Sequence, residues 1–304
     1  MREPAAEHLP DSALAGFIEL VRLRTGTSAT VFRARERDTD RLVALKVLNL
    51  RNPPPRALES FDRESTALAT LGSHPNIVTL YRRLTLSDGR PVLVLELCSP
   101  AAPDRAGSRL PAQQAVAMGI KLAGALATAH RGAVLHCDVR PQNVLVTEFG
   151  EPALSDFGVA QLHARSGPFE LLTEHTAPEL LEGSPLTEAT DVYGLSSTIY
   201  ALVNGAPAFP AYAAEPQSSV SLRILRDPVP PIIGGAVPLE LSDVLLWGLA
   251  KVAAERPPSA EWFAAELARV EDHQGWPRTK LLVRDPCSPG GAPTHGGPSR
   301  AHVA

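Results

Sequence analysis

Residues 135–146 read Leu135-His136-Cys137-Asp138-Val139-Arg140-Pro141-Gln142-Asn143-Val144-Leu145-Val146, and ten residues further on stands Asp156, in Ser155-Asp156-Phe157-Gly158. An acid and an amide lie five residues apart in a short polar loop, between an apolar helical stretch and an apolar strand. Val144–Val146, a turn at Phe149-Gly150 and Ala153-Leu154 predict a hairpin. Such a hairpin returns Asp156 to nearly the same place as Asn143. Oxygen ligands without thiolate or imidazole suit Mg²⁺, which keeps several waters and takes few protein ligands.

Outward from this loop, two charges occupy apolar positions. Under strict alternation Lys46 shares a strand face with Leu42, Ala44 and Leu48, where a lysine is costly unless paired. Glu64 lies inside the apolar stripe of a helix expected over 57–71, set by Leu58, Phe61, Leu68 and Leu71. Two misplaced charges of opposite sign predict each other as partners. Taken singly, either could snorkel to solvent.

The rest of the chain divides by character. From Phe17 to Glu96 the signals are mostly strands. After a Pro/Ala/Gly-rich break at 99–108 they are helices: 112–130, 191–203, 241–252, and a last one following Ser259 as N-cap. The chain has 304 residues, 44% hydrophobic and 20% charged, which excludes general disorder and suggests two lobes or domains. A net charge of −4 argues against a non-specific nucleic-acid binder. Three cysteines without a C-x-x-C pair argue against a disulfide framework and for a reducing compartment. The N-terminus carries an acid early and has no apolar h-region, so no signal peptide is expected. The longest charge-free stretch, 192–214, holds Asn204, Pro207 and Pro210 and is expected to be a buried helix and turn, not a membrane span. A cytoplasmic protein is expected. Residues 277–304 hold 5 Pro and 4 Gly, a composition that predicts disorder.

These residues resemble the eukaryotic-like (Hanks-type) serine/threonine protein kinases of bacteria, from about Phe17 to Val270. Val43-Ala44-Leu45-Lys46 is similar to the strand whose lysine holds the α/β-phosphates, and Glu64 to its helix partner. His74-Pro75-Asn76 resembles the segment after that helix. Leu95-Glu96-Leu97-Cys98 resembles the hinge. His136-Cys137-Asp138 with Asn143 resembles the catalytic loop. Asp156-Phe157-Gly158 and Ala177-Pro178-Glu179 resemble the brackets of an activation segment. Asp191-Val192-Tyr193-Gly194 resembles the central helix whose aspartate ties down that loop, and Arg256 resembles the arginine paired with Glu179.

The resemblance implies an α+β bilobal fold. A leader covers 1–14, the kinase domain 15–272 (small lobe 15–96, large lobe 97–272) and a disordered tail 273–304. It implies transfer of the ATP γ-phosphoryl group to Ser/Thr hydroxyls of proteins, including the chain itself. Asp138 would be the base, with Lys46, Glu64, Arg140 and Asn143 completing the catalytic set. Gly26, Val31, Ala44, Lys46, Glu96, Cys98 and Leu145 would contact ATP, and Asn143 and Asp156 would hold Mg²⁺ or Mn²⁺. Expected partners are protein substrates and a second copy for autophosphorylation in trans, with neither nucleic acid nor membrane.

The chain also departs from the family pattern. The phosphate-loop glycine positions read Arg24, Gly26 and Ala29, so only the middle glycine remains. Arg140 replaces a lysine. Cys137 replaces the arginine that in many relatives pairs with a phosphorylated activation loop. Leu172 stands where a hydroxyl is usual. These departures leave open a pseudokinase, a nucleotide- or partner-binding scaffold without transfer. An antibiotic-kinase-like phosphotransferase lacks the Glu179–Arg256 pairing.

Overall fold

The computed structural model describes residues 12–26, 28–49, 55–72, 74–101, 108–157, 173–213, 215–234 and 236–286. Expectations for Gly158 and Leu172 therefore fall outside the described residues.

Period-two patterning builds the small lobe. Strands β1 (Phe17–Thr25), β2 (Ala29–Glu36), β3 (Leu42–Leu48), β4 (Leu80–Thr85) and β5 (Pro91–Glu96) form one sheet in the order β1-β2-β3-β5-β4. Val43, Leu45 and Val47 of β3 join Val92 and Val94 of β5 in one apolar cluster. The alternate residues Ala44, Leu48, Leu93 and Leu95 join the other, which receives Phe61, Leu68 and Leu71 of helix α1 (Pro55–Leu71). Burial on both faces explains why the central strands β3 and β5 read as nearly continuous apolar runs.

The large lobe is helical. It contains α2 (Ala112–Arg131), α3 (Pro178–Glu182), α4 (Glu188–Asn204), α5 (Gln217–Arg226), α6 (Leu239–Gly248) and α7 (Ala260–Gln274), with a small sheet of β6 (Ser99–Pro100), β7 (Val144–Val146) and β8 (Pro152–Leu154). Helix α4 is the buried axis: Val192, Leu195 and Ile199 are all fully buried. It stops at Gly205, whose φ of 81° is the left-handed cap that glycine adopts without strain. The charge-free stretch is thus a core helix and turn. Among the described residues no helix is long and apolar enough to cross a membrane.

Several boundaries differ from the sequence reading. The expected helix 241–252 ends at Gly248, where α6 meets α4 so closely that a Cβ would lie 1.9 Å from Ser196 Oγ. Helix α5 was not expected, because it buries only Val220 and Ile224, too few for a periodic signal. The supposed leader already belongs to the fold at residues 12–14: Leu14 is 3% exposed and sits in the small-lobe cluster.

The expected tail boundary at 272/273 needs correction too. It falls inside α7, which continues to Gln274. The chain beyond, as far as residue 286, lies against α2. Arg284 N donates to Thr128 Oγ1 at 3.0 Å, and Val283 is 2% exposed. His74 Nδ1 accepts from Asn76 N, so its Nε2–H is free to donate to Leu282 O at 3.0 Å. Averaging composition over 277–304 hid the apolar run Leu281-Leu282-Val283, because the glycines all come after it.

Candidate active site

Between the lobes lies a cavity of about 1060 Å³. Leu23, Val31, Ala44 and Leu95 line it from the small lobe, Glu96 and Cys98 from the connection, and Leu145 and Asp156 from the large lobe. Lys46 lines it as well. Its Nζ donates to Glu64 Oε1 and Oε2 at 2.6 and 2.8 Å and to Asp156 Oδ1 at 2.6 Å. The two misplaced charges of the small lobe are therefore paired, and the large lobe supplies a second carboxylate.

Electrostatics follow from one amine serving two buried acids. Burial disfavours the Lys46 charge, but Asp156 and Glu64 outweigh it and hold the amine cationic, above the usual lysine range. Burial would also raise Asp156, yet Lys46 draws it down to about 2. Burial pushes Glu64 up to about 7, with Lys46 opposing. The backbone at Asp156 has a φ of 63°, a left-handed conformation that costs a non-glycine residue roughly 1–2 kcal/mol.

The loop below the cleft is held by buried hydrogen bonds. Asp191, at the start of α4, is fully buried and accepts from Cys137 N at 2.6 Å and His136 N at 2.9 Å. These bonds fix Cys137 at φ 62°, a second left-handed residue. His136 is fully buried against the Phe157 ring, with centroids 4.5 Å apart. Its Nδ1 accepts from Asp138 N at 3.2 Å, leaving Nε2 to donate to Ser155 O at 2.8 Å. One imidazole thereby joins the acid-bearing loop to the residues that follow β8 and carry Asp156.

Asn143 joins the groups on the loop. Its Nδ2 donates to Asp138 O and Oδ2, both at 2.8 Å. Its Oδ1 is buried without a partner, a costly state for an amide oxygen. Ser155 N donates to Asn143 O at 2.9 Å, which brings Asn143 next to the residue that precedes Asp156. An orphan amide oxygen and a carboxylate are hard oxygen donors, a set suited to Mg²⁺. Arg140 Nε lies 3.2 Å from Asp138 Oδ2, close enough for charge pairing but without hydrogen-bond geometry. Burial raises the Asp138 pKa above the usual carboxylate range, while Arg140 and His136 oppose it.

A second buried assembly braces the floor. Arg256 Nη1 and Nη2 each donate at 2.7 Å to Glu179, one to each carboxylate oxygen. The remaining donors go to Ala250 O, Ala189 O and Lys251 O, so the guanidinium is fully satisfied. Thr190 Oγ1 adds a bond to Glu179 at 2.9 Å.

Of the expected nucleotide contacts, Val31, Ala44, Lys46, Glu96, Cys98 and Leu145 line the cleft. Gly26 does not; its N–H is turned onto Ala29 O at 2.9 Å. The expected catalytic residues fall into two groups: Lys46 with Glu64 in the small lobe, and Asp138 with Arg140 and Asn143 on the loop. Sequence reasoning missed Asn49, just past β3. It donates through Nδ2 to Gly26 O at 2.8 Å and accepts from Thr30 at 2.6 Å, pinning the phosphate-loop turn. A lone polar residue after a strand carries no periodic signal that could have revealed it. It also missed His175, which is buried and paired with Ser197 Oγ at 2.8 Å.

A family model described as the protein kinase domain matches residues 17–243. The chain is 34% identical over 285 residues to serine/threonine-protein kinase PknK of Mycobacterium tuberculosis, covering 90% of this chain and 25% of that protein. It is 33% identical to the DNA damage-responsive serine/threonine-protein kinase RqkA of Deinococcus radiodurans, covering 82% of this chain and 39% of that one. It is 35% identical to serine/threonine-protein kinase PkaA of Streptomyces coelicolor, covering 62% and 38%. The chain thus spans well under half the length of these relatives.

Proposed function

The chain belongs to the protein kinase domain family, and on that premise we propose that its cleft transfers the γ-phosphoryl group of ATP to serine or threonine hydroxyls of proteins, including a second copy of itself. The observation that carries this proposal is Lys46, held between Glu64 and Asp156 across the cleft. A cation fixed by two acids from different lobes is pre-organised for an anionic ligand and needs little rearrangement when the ligand arrives.

In this assignment Lys46 orients the α- and β-phosphates, and Glu64 positions Lys46. Asp138 accepts the proton of the incoming hydroxyl. Its bonds from Asn143 fix the carboxylate, and its raised pKa brings it closer to the pH at which it works. Arg140, beside Asp138, reaches the transferred phosphoryl group, and its planar guanidinium suits two phosphate oxygens. Asn143 and Asp156 would hold Mg²⁺, or Mn²⁺, whose charge offsets that of the phosphates. With ATP as donor, the chain would do this work in the cytoplasm.

The test is transfer of labelled γ-phosphate to the chain itself and to a generic protein acceptor, with Mg²⁺ and then Mn²⁺. Transfer that falls at least about 100-fold in both Lys46→Met and Asp156→Asn is expected. Tight ATP binding with no transfer over hours would instead assign the chain as a nucleotide-holding scaffold.

A further inference from the structure

The phosphate loop is the part of the cleft that departs furthest from its family. Its two outer glycine positions carry Arg24 and Ala29. The one glycine left, Gly26, spends its N–H on Ala29 O, and Asn49 clamps its carbonyl. Asn49 N in turn donates to Ser28 O at 2.9 Å. The turn is therefore closed on itself, and the Gly26 amide is not offered to a phosphate. With that amide engaged, a side chain of the roof becomes the candidate contact for an anionic ligand.

One row of the sheet supplies that side chain. Arg24 of β1 pairs with Val31 of β2, and Val31 pairs with Lys46 of β3. Directly opposed residues of antiparallel strands project to the same face. Arg24 and Lys46 are therefore on the cleft face, two strand spacings or roughly 10 Å apart along the row. Arg24 lines the same cavity as Lys46 and Asp156. Its side chain makes no hydrogen bond or ion pair among the described residues, yet its charge helps lower the Asp156 pKa. Arg33 reaches the cavity as well, but it pairs with Ala44, farther toward the hinge.

We propose that Arg24 is a nucleotide-binding residue that holds the phosphate chain of ATP from the roof of the cleft, replacing with a side-chain cation the close backbone approach that a glycine would allow. The assignment rests on the ATP-binding cleft proposed above. Lys46 is already committed to two carboxylates, so an uncommitted guanidinium on the same face is the natural partner for the remaining phosphate charge. A guanidinium can also bind two phosphate oxygens at once. Asn49 is the positioning residue: by closing the turn it fixes the strand end that carries Arg24.

The experiment is equilibrium binding of Mg²⁺-ATP and of adenosine to the wild-type chain, Arg24→Gln, Arg24→Lys and Lys46→Met, each checked by thermal melting. Arg24→Gln is expected to bind ATP about tenfold more weakly, as fits the loss of one charge-assisted bond. Adenosine affinity should stay unchanged, and Arg24→Lys should recover part of the loss, since it restores the charge but not the planar fork. Equal ATP affinity in Arg24→Gln and wild type, with Lys46→Met still impaired, would overturn the role of Arg24 alone. Parallel losses for ATP and adenosine would also overturn it, by marking Arg24 as a support of the loop. A wild-type chain that binds no ATP would overturn both this role and the ATP-binding cleft.

Discussion

His175 carries a pH dependence that no motif announces. It is buried beside Ser197, and burial, with the Arg140 charge nearby, pushes its pKa down to about 4. An unfolded histidine titrates near 6.5. Between these values the unfolded chain binds a proton that the folded chain refuses, so stability falls as pH drops from about 6.5 toward 4. The full interval corresponds to roughly 3 kcal/mol and the part down to pH 5 to about 2 kcal/mol. Urea denaturation at pH 7.5 and pH 5 should show the wild type losing about 2 kcal/mol more than His175→Gln. Equal losses would rule out His175 as the source. Lys46 and Glu64 are different at this scale. Their placement was legible, because each violates the apolar period of its own element, and a charge among apolar positions must find a partner.

At the scale of elements, the start of α4 and the approach to α7 are locked through α3 by the Glu179–Arg256 pair. Burial would raise the Glu179 pKa, but the Arg256 hydrogen bonds and charge lower it overall. All the donors of Arg256 are satisfied, so removing the side chain leaves a buried carboxylate without its cation and takes a hydrogen bond from three backbone carbonyls. Arg256→Ala is expected to lose about 3–5 kcal/mol in chemical denaturation. Arg256→Lys should recover little, because an ammonium cannot match the planar fork. A loss under about 1 kcal/mol for Arg256→Ala would show the pair to be a minor brace. The two partners lie 77 positions apart. Nothing in the local periodicity of either segment points to the other, and only the resemblance to a family joined them in the sequence.

For the molecule as a whole, the chain after α7 ties the lobes together. It runs along α2 and meets His74, which follows α1, so one extended segment touches elements of both lobes. A notch at Gly124 admits it: a Cβ there would lie 2.2 Å from Leu282 O. Gly124→Val should expel the segment and destabilise the fold by about 1–3 kcal/mol. Hydrogen exchange should quicken at Arg284, whose amide is bonded to Thr128 in the native state. Unchanged protection at Arg284 in Gly124→Val would mean that the segment is not held by this notch.

By itself the sequence determined most of the segments that form strands and helices, though not α5, as well as which charges must be paired and that an acid, an amide and a second acid return to one polar corner. Each of these is a short-range consequence of the two- and 3.6-residue periods and of the cost of burying charge. Tertiary structure alone decided that Asn49 closes the phosphate loop, that Arg24 and Lys46 share a row across three strands, and that a segment expected to be disordered packs on α2. Those outcomes depend on strand register and on the shape of a groove in a distant helix. Register and groove exist only once the elements have packed, so no pattern within a single segment encodes them.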